Sequence, residues 1–319
     1  MSKSYLTAKE RFDGIIKNNL IASGVSEQVF GYSITQKDGK ISDYPLYFSK
    51  SAFDIFLNEM KTVYPQHYDR YKGNTNATQN KGGVGGELIE KPGRYGLTPP
   101  KMASVASSSR FCYLALRNGS NALEYNKYIS GNDVVFENEC RIFTDISTAP
   151  QLDGFIEQDG YNIYIEAKCH EIFDNHKVAL KNKYWDYFKS DDILRPFLNN
   201  AETNDVTFAL PLSLFGIEKK SSRFDIKQLI CHLLGIKEQK ENKKAKLIYL
   251  FYEPVADNDE DYILINKVFD ELSTEIKLIF ESDIIKKFCT AYNVELIAIK
   301  EKSRIMEPLT EFNKVIIYP

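Results

Sequence analysis

Two acids and a lysine near the middle of the chain fall on one face of a predicted β-hairpin. If Asp159 and Gly160 form a two-residue type I′ turn, paired positions sum to 319, and Asp153 lies directly opposite Glu166. Lys168 follows Glu166 by two residues and shares its side of the strand. Like charges opposed in this way destabilise a sheet unless a cation or a proton relieves them. The spacing therefore indicates a metal site.

The other face of this hairpin is apolar. Period-2 alternation gathers there a set of residues suited to a core, namely Leu152, Gly154, Ile156, Ile163, Ile165 and Ala167. A hairpin with one buried and one charged face indicates part of a covered sheet, with the predicted metal site on the charged face. The alternative is a solvent-exposed hairpin with a weak cluster of ion pairs.

The flanking sequence predicts the elements that must position this hairpin. Predicted helices lie at residues 101–117, 178–188, 224–235 and 262–280, and Gly235 is expected to end the third. Predicted strands lie at 134–143, 152–158, 161–168, 246–252 and 294–299. This order is typical of an α/β protein with a central mixed sheet flanked by helices.

The first 100 residues are predicted to be an accessory region ahead of a second unit, residues 101–319. Residues 1–70 are expected to form a mostly helical N-terminal extension. Residues 73–96 hold seven of the 17 glycines and lack a GK[ST] motif, which favours a flexible loop over a nucleotide-phosphate loop. We expect this loop to become ordered when substrate binds.

Composition bounds the class of protein. The chain has 319 residues, 43% of them hydrophobic, which suffices for a large core. A net charge of −3 counts against a nucleic-acid partner, yet residues 61–101 hold seven Lys and Arg against three acids, and residues 237–246 hold five lysines against two glutamates. Either stretch can meet phosphates or form a solvated loop.

The sequence disfavours a membrane protein and a disulfide-stabilised protein. No apolar run approaches the roughly 20 residues that cross a bilayer, and the first residues lack the apolar stretch of a signal peptide. The expected location is cytoplasmic, with no membrane partner. The five cysteines are spread without a CxxC pair, which predicts reduced thiols rather than a disulfide framework or a zinc knuckle.

The charged motifs carry a family resemblance. Phe136-Glu137, Pro150-Gln151-Leu152-Asp153, Glu166-Ala167-Lys168 and the later Asp225–His232 segment together resemble the PD-(D/E)XK nuclease superfamily, and within it bacterial restriction endonucleases. The resemblance covers roughly residues 100–300 and implies a restriction-endonuclease-like αβββαβ core. Asp followed by ExK is weak alone, and its placement on two neighbouring strands in register makes it more specific.

The resemblance implies a role for each residue of the hairpin. Asp153 and Glu166 are the expected ligands of Mg²⁺, for which Mn²⁺ can substitute, and the backbone carbonyl of Ala167 completes the protein's share. Lys168 is expected to orient the attacking water and to stabilise phosphate charge. Glu137 is the expected additional acid, and Glu139 is its alternative.

Further candidates surround this centre. Gln228 and His232 share one helix face, from which Gln228 can reach the phosphate or a metal-bound water, whereas His232 is expected in the core. Ser108 and Arg110 begin a helix facing the cleft, where they can contact phosphates. Glu171 is expected to support Lys168, a second metal or substrate, or to be a solvated strand end.

These expectations converge on a Mg²⁺-dependent deoxyribonuclease of restriction, defence or DNA processing. Cleaving both strands of DNA takes two active sites, which makes a homodimer plausible. A catalytically silent DNA-binding or partner-binding module of the same fold and an RNA-cleaving nuclease are the alternatives. A zinc site at Cys169, His170 and His176 is disfavoured because adjacent strand residues point to opposite sides.

Overall fold

The structure is a computed structural model that describes residues 7–72, 87–93, 96–119, 130–143, 149–158, 160–303 and 314–318, the last of these and Asn132 by backbone only. The described helices are α1 (Ala8–Ala22), α2 (Lys50–Val63), α3 (Pro65–Lys72), α4 (Ser108–Leu116), α5 (Lys183–Ser190), α6 (Ile226–Gln239), α7 (Asp259–Glu281) and α8 (Asp283–Tyr292). The described strands are β1 (Phe30–Thr35), β2 (Ile41–Phe48), β3 (Lys91–Gly93), β4 (Gly96–Thr98), β5 (Val134–Glu139), β6 (Gln151–Gln158), β7 (Tyr161–Lys168), β8 (Ala179–Lys181), β9 (Glu202–Thr203), β10 (Thr207–Ala209), β11 (Lys244–Pro254), β12 (Val294–Ser303) and β13 (Lys314–Tyr318).

A six-stranded sheet organises the molecule, in the order β13-β12-β11-β7-β6-β5. Strands β5, β6 and β7 are antiparallel neighbours, β7, β11 and β12 run parallel, and β13 returns antiparallel. Helix α4 packs on β6 and β7 from the apolar side, where Cys112 lies against Gly154. Helix α6 lies over the opposite face, where His232 contacts Tyr249 of β11. The predicted α/β class with a central mixed sheet flanked by helices is confirmed.

The β6–β7 hairpin has the predicted alternation on its first strand. Leu152, Gly154 and Ile156 are buried and their neighbours are partly exposed. Strand β7 is buried on both faces from Asn162 to Ala167, because helices cover both sides of the sheet there. Gly160 has a φ of 79°, which suits the expected turn, whereas Asp159 lies outside the described residues.

The helix predicted over residues 101–117 is shorter than expected. A 3₁₀ turn occupies Lys101–Ala103, and α4 begins only after Ser107. Ser107 has extended backbone and its hydroxyl accepts the N–H of Arg110, which is the usual arrangement of a helix cap. The helix therefore starts where a capping side chain satisfies its first free N–H groups.

The N-terminal region contains more strand than predicted. Helices α1, α2 and α3 make up most of this region, as expected, but strands β1 and β2 form an antiparallel hairpin between α1 and α2 that was not predicted. Within the predicted glycine-rich loop, β3 and β4 pair as a short hairpin, and residues 73–86 and 94–95 lie outside the described part. The apolar core runs continuously from this region into the main sheet.

Several other boundaries differ from the predictions. The segment predicted as helical at 178–188 holds β8 before α5, and the sequence patterns missed α8 altogether. Helix α8 ends at Asn293, whose φ of 50° is a left-handed conformation that asparagine tolerates better than most residues. Within the described residues, no helix is both long and apolar enough to cross a membrane.

The expectation that Gly235 ends its helix is wrong. Helix α6 continues to Gln239, and Gly235 lies where the helix meets the segment after β5. A Cβ built at Gly235 comes within 2.5 Å of the Cβ of Cys140 and 2.8 Å of its carbonyl oxygen. Glycine is required there because helix and backbone are too close for a side chain.

We predict that Gly235→Ala destabilises the protein by about 1 to 3 kcal/mol, since the added methyl must displace the backbone of Cys140. Gly14→Ala is the matched control, because Gly14 lies in α1 with no atom within 4 Å of its built Cβ. That control should be neutral or stabilising by up to about 1 kcal/mol. Urea denaturation measures the free energy of unfolding of both variants. Equal changes in the two would contradict the close approach of Gly235 to Cys140.

Candidate active site

The predicted register is present up to the residues next to Asp153 and Glu166. Paired positions of the β6–β7 ladder sum to 319 as far as the Gly154–Ile165 pair. The pairing ends there, one residue before Asp153 and Glu166. Ala167 donates its backbone N–H to Oδ2 of Asp153 at 2.8 Å, so the peptide of Ala167 faces this aspartate.

A third carboxylate extends the row on the neighbouring strand. The β5–β6 pairing on either side of Glu137 makes it level with Asp153. Glu137 has a φ of 51°, and the guanidinium of Arg70 donates to the carbonyl oxygens of Phe136 and Glu137 at 2.8 and 3.0 Å, which holds this irregular backbone. Glu139, the alternative acid, is instead paired with Arg141.

Crowding and burial change the acidity of this row. Burial, followed by the charges of Glu166 and Glu137, raises the pKa of Asp153 well above its ordinary value. Burial, followed by the charge of Glu87, raises the pKa of Glu137 to about 8. Ser109 lies beside both groups, with its hydroxyl 3.5 Å from Oδ1 of Asp153. A cation placed here would relieve this repulsion.

Lys168 is fixed by two partners. Its Nζ lies 2.6 Å from Oε1 of Glu166 and donates to Oε1 of Gln228 at 2.8 Å. Gln228 in turn donates from Nε2 to Oε1 of Glu166 at 2.8 Å. Glutamate, lysine and glutamine thus form a closed triangle that joins β7 to α6.

The ammonium form of Lys168 is favoured in this triangle. Burial opposes the charged form, but the charges of Glu166, Glu171 and Asp153 outweigh it and hold the pKa of Lys168 above its ordinary value. At neutral pH the group is therefore a positioned cation and hydrogen-bond donor. It can stabilise negative charge on a phosphate more readily than it can remove a proton from water.

His232 belongs to the floor of the site. It is 1% exposed, and its ring nitrogens lie 3.2 Å from the hydroxyl of Tyr249 and 3.2 Å from the carbonyl oxygen of Gln151. Burial lowers its pKa, so the ring is neutral. The expectation that His232 lies in the core agrees with this burial.

The donor set suits a hard divalent cation, although it is not closed around one. The carboxylates of Asp153 and Glu166 offer the oxygen ligands that Mg²⁺ prefers, whereas the group of Ala167 that faces Asp153 is its N–H. Among the described residues, however, no three His, Cys, Asp or Glu side chains are gathered into a metal-binding group. Oε1 of Glu166 is held by Lys168 and Gln228, and Oδ2 of Asp153 is held by a peptide N–H.

Two of the predicted phosphate contacts are placed differently. Arg110 is 5% exposed and donates to the carbonyl oxygens of Met102 and Val105 at 2.7 and 2.8 Å, so it supports the turn before α4 and cannot meet phosphate. Ser108 begins α4 and is partly exposed, but Ser109 is the hydroxyl that reaches Asp153. Both corrections follow from the later start of α4.

Glu171 lies just beyond the lysine. Its Oε2 accepts the N–H of Cys169 at 2.8 Å. Burial alone would raise its pKa, but the charges of Lys168 and His170 keep it below the ordinary value. His170 itself is bonded to Asp13 of α1 at 2.8 Å, so it is not turned toward a zinc site with its neighbours.

Two polar residues near the site were not predicted from the sequence. Glu87 is 4% exposed and accepts from Nζ of Lys101 at 2.7 Å, and the charges of both residues act on Glu137. Oε2 of Glu87 has no hydrogen-bond partner among the residues that the structure describes. Glu87 lies about 50 positions before Glu137 and in no periodic segment, so nothing in the sequence links it to the row.

Comparisons of the chain with protein-family models, with curated proteins and with solved structures found no match. The function must therefore be inferred from the site itself.

We predict that Glu137→Gln raises thermal stability more at pH 8 than at pH 5. The folded state holds the Glu137 proton up to a pKa of about 8, against 4.5 ordinarily, so the ionised carboxylate costs stability as pH rises through this window. The gain in Tm over wild type should grow by roughly 2 °C or more between pH 5 and pH 8. Glu218→Gln, an exposed carboxylate, is the control and should show no such trend. Calorimetry in EDTA measures both variants. If the Tm difference between Glu137→Gln and wild type stays constant from pH 5 to pH 8, the raised pKa of Glu137 is contradicted.

Proposed function

We propose that this chain is a Mg²⁺-dependent deoxyribonuclease of the PD-(D/E)XK type, acting in restriction, defence or DNA processing. The observation that carries the proposal is the grouping of Glu137, Asp153 and Glu166, whose charges act on one another, with Lys168 two residues after Glu166 and fixed by Gln228. Carboxylates crowded beside a positioned ammonium suit phosphodiester hydrolysis, which needs negative charge neutralised and a water oriented.

The order of the elements supports the same proposal. Helix α4, strands β5 to β7, helix α6 and strand β11 follow one another in the αβββαβ order expected of a restriction-endonuclease-like core. A small sheet of β8, β10 and β9 and helix α5 are inserted between β7 and α6. The proposed nuclease unit is residues 101–319, and the accessory unit is residues 1–100.

The residues have distinct proposed roles. Asp153 and Glu166, with the Ala167 carbonyl, would hold Mg²⁺ or Mn²⁺, which supplies charge neutralisation at the phosphate. Lys168 would place its ammonium at the phosphate, and Gln228 helps to fix that ammonium by accepting a hydrogen bond from it. Glu137 lies level with Asp153 and supplies a further carboxylate.

We predict that Lys168→Met lowers metal-dependent cleavage about 10²- to 10³-fold, as loss of one positioned electrostatic donor does in other hydrolases. Asp153→Asn should lower cleavage at least as much. Lys189→Met, which removes an exposed lysine of α5, should leave the rate unchanged. Plasmid is incubated with protein and Mg²⁺ or Mn²⁺, with EDTA as a control and circular dichroism to verify folding. Undiminished cleavage by folded Lys168→Met and Asp153→Asn would show that the activity does not come from this site.

A catalytically silent binding module is the second candidate. Two observations favour it. Oε1 of Glu166 is already bonded to Lys168 and Gln228, and the described residues contain no group of three metal-binding side chains. In a silent module the triangle would be a structural ion pair that binds DNA or a partner without cleavage.

Calorimetric titration with Mn²⁺ separates the two candidates. The nuclease proposal predicts millimolar or tighter binding that Asp153→Asn abolishes and Lys189→Met retains. No heat at millimolar Mn²⁺, together with retained binding to duplex DNA, would establish the silent module. A panel of DNA and RNA substrates separates the deoxyribonuclease from an RNA-cleaving enzyme, and sedimentation of the protein tests the proposed homodimer.

A further inference from the structure

A second lysine lies beside the carboxylates, on the side away from Lys168. Lys168 is paired with Glu166 of β7. The charge of Lys101 acts instead on Glu137 of β5, and β6 lies between these two strands. Lys101 donates from Nζ to Oε1 of Glu87 at 2.7 Å. A pair of one lysine and one buried glutamate therefore stands on each side of the carboxylates.

The two ammonium groups differ in their access to solvent. The side chain of Lys168 is 14% exposed and that of Lys101 is 59% exposed, although the glutamate partner of each is 5% exposed. Among the described residues, Glu87 is the hydrogen-bond acceptor of the Lys101 ammonium. An ammonium has three N–H donors, so Lys101 keeps donors for a ligand that arrives from solvent.

A network of hydrogen bonds fixes the backbone that carries Lys101. Arg110 donates to the carbonyl oxygens of Met102 and Val105 at 2.7 and 2.8 Å. The N–H of Met102 donates to the carbonyl oxygen of Glu87 at 3.0 Å, so Glu87 is joined to this turn by backbone and side chain. Arg110, which was expected to meet phosphate, thus holds the turn from which Lys101 projects.

We propose that Lys101 is a second phosphate-binding residue of the site, which holds a different phosphate of the nucleic acid from the one at Lys168. This inference rests on the proposed nuclease function and names the substrate class. The substrate is a polynucleotide whose backbone passes over the carboxylates, and a single isolated phosphodiester makes only part of the contacts.

The balance of charge supports this role. Four carboxylates act on one another here, namely Glu87, Glu137, Asp153 and Glu166. Lys168 and one Mg²⁺ would supply three positive charges, so a phosphate backbone would still meet one uncompensated carboxylate. Lys101 supplies the fourth positive charge, and it does so where the charge is accessible to the backbone.

The position of Lys101 in the sequence agrees with the same role. It is the last of seven Lys and Arg in residues 61–101, the basic stretch that can meet phosphates. Its charge interacts with those of Glu137 and Asp153, so it is the residue of this stretch that the structure brings to the carboxylates from the solvent side. The alternative is that Lys101 serves to neutralise Glu87 and makes no contact with substrate.

The salt dependence of DNA binding separates these alternatives. A fluorescent DNA duplex of about 20 base pairs is titrated with protein in EDTA over a range of NaCl concentrations, and anisotropy gives the affinity. In Lys101→Met the slope of log affinity against log salt should become shallower by about 1, with affinity about three- to tenfold lower at low salt. Lys101→Arg keeps the charge and should keep the slope.

Lys219→Met is the matched control for this titration. The side chain of Lys219 is 61% exposed and its Nζ lies 3.5 Å from the buried carboxylate of Glu275, so it resembles Lys101 in exposure and in its partner. This control should keep the wild-type slope. Equal slopes for wild type and Lys101→Met, an equal change in Lys219→Met, or no DNA binding by wild type at low salt would overturn the proposal.

A substrate with one phosphate tests the same role by kinetics. With saturating Mg²⁺, Lys101→Met should lower kcat/KM for DNA about three- to tenfold more than kcat/KM for bis(p-nitrophenyl) phosphate, mainly through KM. Equal losses on both substrates would show that Lys101 acts on the carboxylates and not on the substrate, which contradicts the proposal.

A double variant guards against a folding defect, because Lys101→Met leaves the buried Glu87 without its ammonium. Glu87→Gln combined with Lys101→Met removes both charges, and circular dichroism verifies its fold. This double variant should show the same shallower salt slope as Lys101→Met. A wild-type slope in the folded double variant would overturn the proposal.

Metal-free binding keeps this result separate from the nuclease assay. A shallower slope in Lys101→Met, without cleavage by wild type in Mg²⁺, would support the phosphate contact and reject the nuclease. Cleavage by wild type together with equal slopes would support the nuclease and reject the role of Lys101.

Discussion

The mutual repulsion of three carboxylates in one row of the sheet is the constraint on which the site depends. The pairing of β5 with β6 makes Glu137 level with Asp153, and the β6–β7 pairing ends one residue before Asp153 and Glu166. Asp153 is removed from water there and feels the charges of both glutamates. The ammonium of Lys168, which is paired with Glu166, offsets part of this repulsion. Burial first, and the charges of neighbouring carboxylates second, raise the pKa values of Asp153 and Glu137, and a divalent cation would relieve the repulsion between the charges.

Elements that are far apart in the sequence contribute to the site around the Lys168 ammonium. Gln228 reaches Lys168 only because α6 packs closely over the sheet, and the bare Gly235 allows the same helix to touch the backbone of Cys140. The N-terminal region also contributes, since Arg70 of α3 binds the carbonyl oxygens around Glu137. The N-terminal region and the main sheet therefore both contribute to the site and share one apolar core.

The hairpin could be predicted well because its information is local. Alternation over eight residues and a glycine turn predicted the register, which the two strands follow as far as the Gly154–Ile165 pair, one residue before Asp153 and Glu166. Predictions that depended on helix boundaries were weaker. Arg110 was expected to face the cleft, but the helix begins after Ser107 and the guanidinium is used by the turn that precedes it. Gly235 was expected to end its helix, but α6 continues to Gln239 because tertiary packing, and not the local sequence, decides where it ends.

By itself, the sequence determined the α/β class, the register of the central hairpin and the grouping of two acids with a lysine. These follow from a period of two residues and from turn chemistry, which act between neighbours along the chain. Only the tertiary structure decided that Gln228 locks Lys168 and that Glu87 and Lys101 lie near Glu137. These side-chain contacts join residues 36 to 60 positions apart, and they arise from tertiary packing that no local pattern encodes.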